Sequence, residues 1–322
     1  MKGTFQSAWA GELAGFLVFK RSLGYPYQRA EYTLRELDRF LQEKQAEKVQ
    51  SLDQLILTWL ASKPPRQAVS VSIEVGVLRQ FFAYLRRLPG GATLREPLWP
   101  RLPTESSFVP YYLSEQDISK LLALCPTLQR PAFRAILYRT LLLVLYCTGL
   151  RFGEALRLRL QNVDLSANTF WIDTFKGRAR WVPFHPSLSR ELNAYQRARS
   201  QYATSDESEP FFVRADGRAL PYKAAASTLC QLFRQAGLKP RSGGGPRPYD
   251  LRHAFAVHRL SRWYRQGVDL QAHLPWLSAY MGHVDLVGTE SYLHMTPELL
   301  ERAGNRLRHR YLQPVRPEEL IE

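Results

Sequence analysis

Four short segments of this chain carry residue types suited to acting on a phosphate group. They are Thr148-Gly149-Leu150-Arg151-Phe152-Gly153-Glu154-Ala155; Phe175-Lys176-Gly177-Arg178; Tyr249-Asp250-Leu251-Arg252-His253; and Met281-Gly282-His283, with Tyr292 nine positions further on. Guanidinium groups grip phosphoryl oxygens two at a time and stay charged at any working pH. A lysine, an imidazole and a phenol add a proton donor, a hydrogen-bonding ring and a nucleophile. Each piece alone has an ordinary reading. Arg151 would cap the helix before it, Lys176 would be a solvated turn charge, His283 a cap, and Tyr292 a half-buried aromatic on an amphipathic helix. Other chemistries lack their residues, for the sequence holds no P-loop glycine run, no HExxH and no carboxylate cluster to hold magnesium.

The elements that must position these residues follow from periodicity. Leu34, Leu37, Phe40 and Leu41 recur at helical spacing, as do Leu52, Leu55, Trp59 and Leu60, and again Leu78, Phe81, Phe82 and Leu85. The first ninety or so residues are therefore expected to form about four helices, with Ser51 as an N-cap. Prolines 97, 100, 103 and 110 break the next stretch, which is expected to link two domains. Ser114 opens a new helix with Asp117 at the acidic place of a capping box. A long apolar helix is expected from Arg130 to Cys147, stopped by Gly149. Thr169–Asp173 and Arg180–Phe184 are expected to be strands of a hairpin, with Phe211-Phe212-Val213 as an added edge strand. Helices are expected at about 222–236, 249–266, 273–282, 285–294 and 296–311, and the last carries Leu299, Leu300, Ala303 and Leu307 on one face.

Charge narrows the partner. Lys and Arg number 44 against 29 Asp and Glu, a net +15 over 322 residues. Such a surplus favours a polyanion, with DNA or RNA first, and its spread along the chain argues against an amphipathic membrane stripe. Cys125, Cys147 and Cys230 are too few and too ill-spaced for a disulfide framework, and each is expected to be a small buried hydrophobe in a reducing compartment. The start of the chain has no apolar core or cleavage signature, and the longest apolar run, Leu141 to Cys147, is too short for a bilayer. A cytoplasmic, soluble protein without a membrane partner is expected.

The order and spacing of the four segments and Tyr292 closely resemble the tyrosine recombinase (phage integrase) family, including its Xer-like site-specific recombinases, over roughly residues 110–311. The resemblance implies a mainly α fold with a small antiparallel β-sheet (α+β) in the catalytic domain. It implies a helical, SAM-like core-DNA-binding domain over 1–95, a linker over 96–112 and a catalytic domain over 113–322. It implies that Arg151 and Arg252 clamp the scissile phosphate, that His283 hydrogen-bonds it, and that Lys176 protonates the departing 5′ oxygen. Tyr292 would be the nucleophile, forming a 3′-phosphotyrosyl link that stores the bond energy for rejoining, so that neither cofactor nor metal is needed. Glu154, on the face of Arg151, would support the site structurally, and His253 would orient it or pack beneath it.

One position departs from the family. A histidine usually stands three residues before the second arginine, and here that position is Tyr249. A phenol donates a hydrogen bond to phosphate but is a poor acid or base near neutral pH. The resemblance further implies double-stranded DNA as partner and a homo-tetramer on two synapsed sites, with accessory recombinases as an option. Strands would be exchanged through a Holliday junction, in integration, excision, transposition of a mobile element, or resolution. The terminal helix would dock on its own domain or on a neighbouring protomer. The alternative reading keeps the fold and makes the chain a weak or inactive DNA-binding accessory protein. A topoisomerase or telomere resolvase of the same chemistry is a third.

Overall fold

The structure is a computed structural model that describes residues 4–47, 51–91, 99, 111–128, 131–173, 179–203, 206, 209–238, 245–283, 285, 287–290 and 292. The chain divides into two compact units, 1–107 and 108–322. Of the linker expected at 96–112, only 99, 111 and 112 are described, and the helix expected at 296–311 lies outside the described residues.

Among the described residues the first unit has four helices: α1 (Ala10–Ser22), α2 (Gln28–Glu43), α3 (Leu52–Ser62) and α4 (Ala68–Leu85). Leu34, Leu37 and Leu41 of α2 and Leu78, Phe81, Phe82 and Leu85 of α4 are buried together with Phe16, Ile56 and Trp59, as their spacing requires. Asp38 is buried and accepts the N–H groups of Gln6 (2.9 Å) and Ser7 (3.0 Å). Ser51 stands at the N-cap of α3, but its hydroxyl bonds the Asp53 carboxylate and not a backbone N–H. The competing side chain offers a stronger, charged acceptor. By length and composition alone, α4 is long and apolar enough to cross a membrane. Its C-terminal half is instead a wall of the four-helix core.

The second unit begins with α5 (Glu115–Leu124), whose capping box is complete: Asp117 N–H donates to Ser114 Oγ at 3.1 Å, and Ser114 N–H to Asp117 Oδ2 at 3.1 Å. Next come α6 (Phe133–Thr148), α7 (Phe152–Leu156) and three strands, β1 (Val163–Asp164), β2 (Thr169–Ile172) and β3 (Arg180–Pro183). Then follow α8 (Pro186–Arg199), α9 (Tyr222–Gln235), α10 (Asp250–Arg265), α11 (Leu270–Met281) and α12 (Val287–Glu290). The mainly α fold with a small antiparallel sheet is as expected. α6, apolar on nearly every side, is the central helix and packs against α8 and α10.

The sheet order is β1-β2-β3, all antiparallel, with Phe170 opposite Val182, Trp171 opposite Trp181 and Ile172 opposite Arg180. The third strand is thus Val163–Asp164 and not Phe211–Val213. The three residues 211–213 are buried, but only isolated bridges involve their neighbourhood, Arg159 with Pro210 and Val213 with Ala219. The buried Arg199 guanidinium donates to the Pro210 carbonyl at 2.9 Å and the Phe211 carbonyl at 3.2 Å, taking acceptors a ladder would have used. α8 was not foreseen, because its apolar positions Leu188, Leu192 and Tyr195 are diluted by polar residues. The cysteine expectation holds for Cys125, which is buried, while Cys230 is half-buried and Cys147 is exposed, lining a cleft of about 470 Å³ with Phe184, Phe255 and Trp276.

Candidate active site

Two glycine-ended helices make the frame of the site. α6 stops at Gly149, whose φ of 60° lies in the left-handed region. A Cβ there would sit 2.3 Å from Phe255 Cδ1, so glycine is required for space as well as for conformation. α11 stops at Gly282 in the same way, with φ 70°. Helix ends leave carbonyls without partners inside the helix, and those carbonyls carry partial negative charge. Here arginines take several of them.

Arg252 lies in the first turn of α10 and is 1% exposed. Its Nη1 donates to the Gly149 carbonyl at 2.6 Å and its Nη2 to the Met281 carbonyl at 2.9 Å. The start of α10 is fixed by the fully buried Asp250, which accepts the N–H groups of Arg247 (2.7 Å) and Tyr111 (3.4 Å). Arg151 is the N-cap of α7, and its Nη2 donates to the Gly282 carbonyl at 2.8 Å. Its Nη1 donates to Glu154 Oε1 at 2.8 Å, and its backbone N–H to Glu154 Oε2 at 3.0 Å. The three-residue spacing that put Glu154 beside Arg151 thus lets one carboxylate take both the backbone N–H and the guanidinium of the N-cap residue.

His283 leaves the Gly282 turn with its N–H bonded to the Ser278 carbonyl at 3.0 Å. Its Nδ1 and the hydroxyl of the fully buried Thr289 are 2.6 Å apart, and the Thr289 carbonyl accepts the Tyr292 N–H at 3.1 Å. Tyr292 is 2% exposed and packs with Phe255, Leu260, Leu277 and Met281. Its ring lies 6.1 Å from that of His283 and 5.3 Å from that of His253. The His253 ring in turn lies 4.9 Å from that of Tyr249, which is 40% exposed. Tyr249 and His253 are one helical turn apart, so they share a face.

Charge and burial set the protonation states. Burial pushes the Tyr292 phenol up to about 12, against the opposing pull of Arg252. Burial, then the positive charge of Arg252, Arg151 and Arg180, holds His283 down to about 4. His253 is likewise held at about 4 by burial, Arg252 and Arg247. Both imidazoles are therefore neutral near pH 7. Burial raises the Glu154 carboxyl, but hydrogen bonds and charge from Arg180 and Arg151 outweigh it and keep the group below its ordinary range.

The structure therefore brings Arg151, Glu154, Tyr249, Arg252, His253, His283 and Tyr292 together. Lys176 lies outside the described residues, although β2 before it and β3 after it are paired. Two residues of the cluster were missed. Thr289 holds both His283 and Tyr292, and no local signal marks it. Arg180, 8% exposed, donates from Nη2 to Glu154 Oε2 at 3.0 Å and from Nε to the Tyr280 carbonyl at 2.7 Å. It had a signal, because strand alternation with Val182 inward turns Arg180 inward too, and a buried arginine needs a partner.

The sequence pattern of the phage integrase family matches residues 111–298. An integrase/recombinase of Sinorhizobium fredii, y4rB, is 33% identical over 308 residues, which are 92% of this chain and 96% of the relative. Tyrosine recombinase XerC of Oceanobacillus iheyensis is 29% identical over 241 residues, 73% of this chain and 72% of its own. Among solved structures, the XerH site-specific recombinase bound to difH substrate aligns with a TM-score of 0.64 at 18% identity, covering 93% of this chain and 84% of that one. A lambda integrase dimer bound to a COC′ core site aligns with a TM-score of 0.62 at 13% identity, covering 89% and 95%. The chain belongs to the phage integrase family, the tyrosine recombinases, enzymes that break and rejoin DNA.

Proposed function

We propose that this chain is a site-specific recombinase that cleaves duplex DNA with Tyr292 and rejoins it after strand exchange. The phenol oxygen attacks phosphorus, the bond to the 5′ oxygen breaks, and a 3′-phosphotyrosyl link forms. The departing oxygen takes a proton from Lys176, and the tyrosine's own proton leaves to solvent. Rejoining is the same step reversed, so bond energy is conserved and no nucleotide is consumed. Arg151 and Arg252 stabilise the charge that grows on the non-bridging oxygens. His283 and Tyr249 add hydrogen bonds to the phosphate, and Glu154 and His253 support the site. The helical unit in the first part of the chain would also grip DNA, and the surplus of 15 positive charges supports the polyanionic partner. Four protomers on two synapsed sites, a Holliday junction and action in the cytoplasm complete the reading.

The observation that carries it is the convergence of Tyr292 with Arg252, Arg151 and His283 within one chain. The relatives and DNA-bound neighbours named above support duplex DNA as the substrate. The test uses a pool of nicked duplexes with randomised flanks, in which cleavage releases a short strand and traps the intermediate. Wild-type protein should retain DNA after denaturation, and Tyr292→Phe should retain none. Equal, background retention by both would replace this reading with that of a DNA-binding accessory protein.

A further inference from the structure

Arg180 has no role in the chemistry above, yet it is buried and its described hydrogen bonds lie inside the site. Glu154, with a side chain 2% exposed, is bonded on one side by Arg151 at 2.8 Å and on the other by Arg180 at 3.0 Å and 3.4 Å. One buried carboxylate therefore faces two guanidiniums. Arg252 lies across the same cluster and feels the charges of both Arg151 and Glu154. A carboxylate this dry cannot be left with one partner at no consequence, because water does not screen it. Without Arg180 its charge would fall wholly on Arg151, the group that must present its own charge to a phosphate.

Arg180 also supports the turn that carries His283. Its Nε holds the Tyr280 carbonyl, and its Nη1 would lie 2.5 Å from a Cβ on Gly282. The guanidinium thus lies flat against the glycine whose carbonyl binds Arg151 at 2.8 Å. Arg180 is the first residue of β3, four positions after Lys176.

We infer that Arg180 is a positioning residue that neutralises Glu154, so that Arg151 keeps its positive charge for the scissile phosphate. This rests on the reading of Arg151 as a phosphate ligand. Removing Arg180 alone should weaken phosphate binding. Removing Glu154 along with it should restore binding, because the carboxylate that captured Arg151 is gone. A merely structural role predicts no such rescue, since the double change deletes more of the network than the single one.

The experiment compares the full chain with Arg180→Met, Glu154→Gln and the double variant. Vanadate, a mimic of pentacoordinate phosphorus, is titrated against thermal unfolding, and trapping on the nicked duplex pool is timed. Arg180→Met should bind vanadate and trap DNA about 30-fold more weakly, the loss expected for one charge-assisted hydrogen bond. The double variant should return to within about twofold of wild type, the scatter of independent substitutions. The inference is overturned if Arg180→Met equals wild type, if the double is no better than the single, if the double does not fold, or if wild type binds no vanadate. A wild type that binds vanadate with the expected rescue but never traps DNA would overturn the recombinase reading and leave this inference standing.

Discussion

Replacing Gly149 with alanine tests the frame of the site directly. The residue has φ 60°, and an alanine methyl would overlap Phe255 Cδ1 at 2.3 Å. The left-handed conformation costs alanine about 1–2 kcal/mol, of which about 0.4–1 is returned by the stiffer unfolded chain. Displacing a packed side chain adds about 1–3 kcal/mol. Phe255 cannot swing away freely, because it stacks on Tyr280 at 5.6 Å and lies under the Arg259 guanidinium. The expected total is about 1–5 kcal/mol, which for a unit of this size lowers Tm by about 2–20 °C. Gly267→Ala is the internal control: its φ of 75° carries the same backbone cost, and a Cβ there meets nothing within 4 Å. The difference between the two melting curves, followed by circular dichroism, isolates the Phe255 contact. Because the Gly149 carbonyl holds Arg252 at 2.6 Å, DNA trapping should fall in Gly149→Ala and not in Gly267→Ala. If the two variants melt and trap alike, the packing of Phe255 against this turn is not what requires glycine, and the reasoning fails.

Other consequences are open to measurement. Alkaline titration of tyrosine absorbance, wild type minus Tyr292→Phe, should show this phenol ionising near about 12; a midpoint near that of free tyrosine would contradict its burial. His253 and His283 bind protons at about 4 in the folded chain and near about 6.5 when unfolded, so the unfolded state takes up more protons between those values. Their contribution is fully present above the unfolded value and is lost as pH falls towards about 4, so Tm should drop across that window more steeply in wild type than in a His253→Asn/His283→Asn variant. Parallel curves would refute it. Thr289→Val removes the 2.6 Å partner of His283 Nδ1 and should slow trapping about 2- to 10-fold, the range of one neutral hydrogen bond, with DNA affinity unchanged. A loss of affinity in place of rate would mean that Thr289 acts on the fold and not on the imidazole.

Most helices were legible because each is a local pattern. α2 and α4 show their apolar stripes in the sequence, and Ser114 with Asp117 announces the start of α5. α8 was passed over because Leu188, Leu192 and Tyr195 are separated by polar residues that alone suggest a surface loop. The edge strand was misplaced because Phe211-Phe212-Val213 has strand-like residues, whereas its carbonyls are claimed by Arg199. Residue types also mislead about exposure: Cys147 sits in an apolar run but opens to a cleft.

By itself the sequence determined the chemical inventory: two arginines, a lysine, a histidine after glycine and a tyrosine nine positions on, together with most of the helices that carry them. Those features follow from local propensity and spacing, which act over a few residues. Only the tertiary structure decided what holds the inventory in place. Arg151 bonds a carbonyl 131 positions away, Arg252 one 103 positions away, and Arg180 one 100 positions away. The partners are backbone carbonyls at helix ends, and every residue type has such a carbonyl. Nothing in a side chain's identity singles them out, so the anchoring of the site, and the part of Arg180 in it, becomes visible only once the helices are packed.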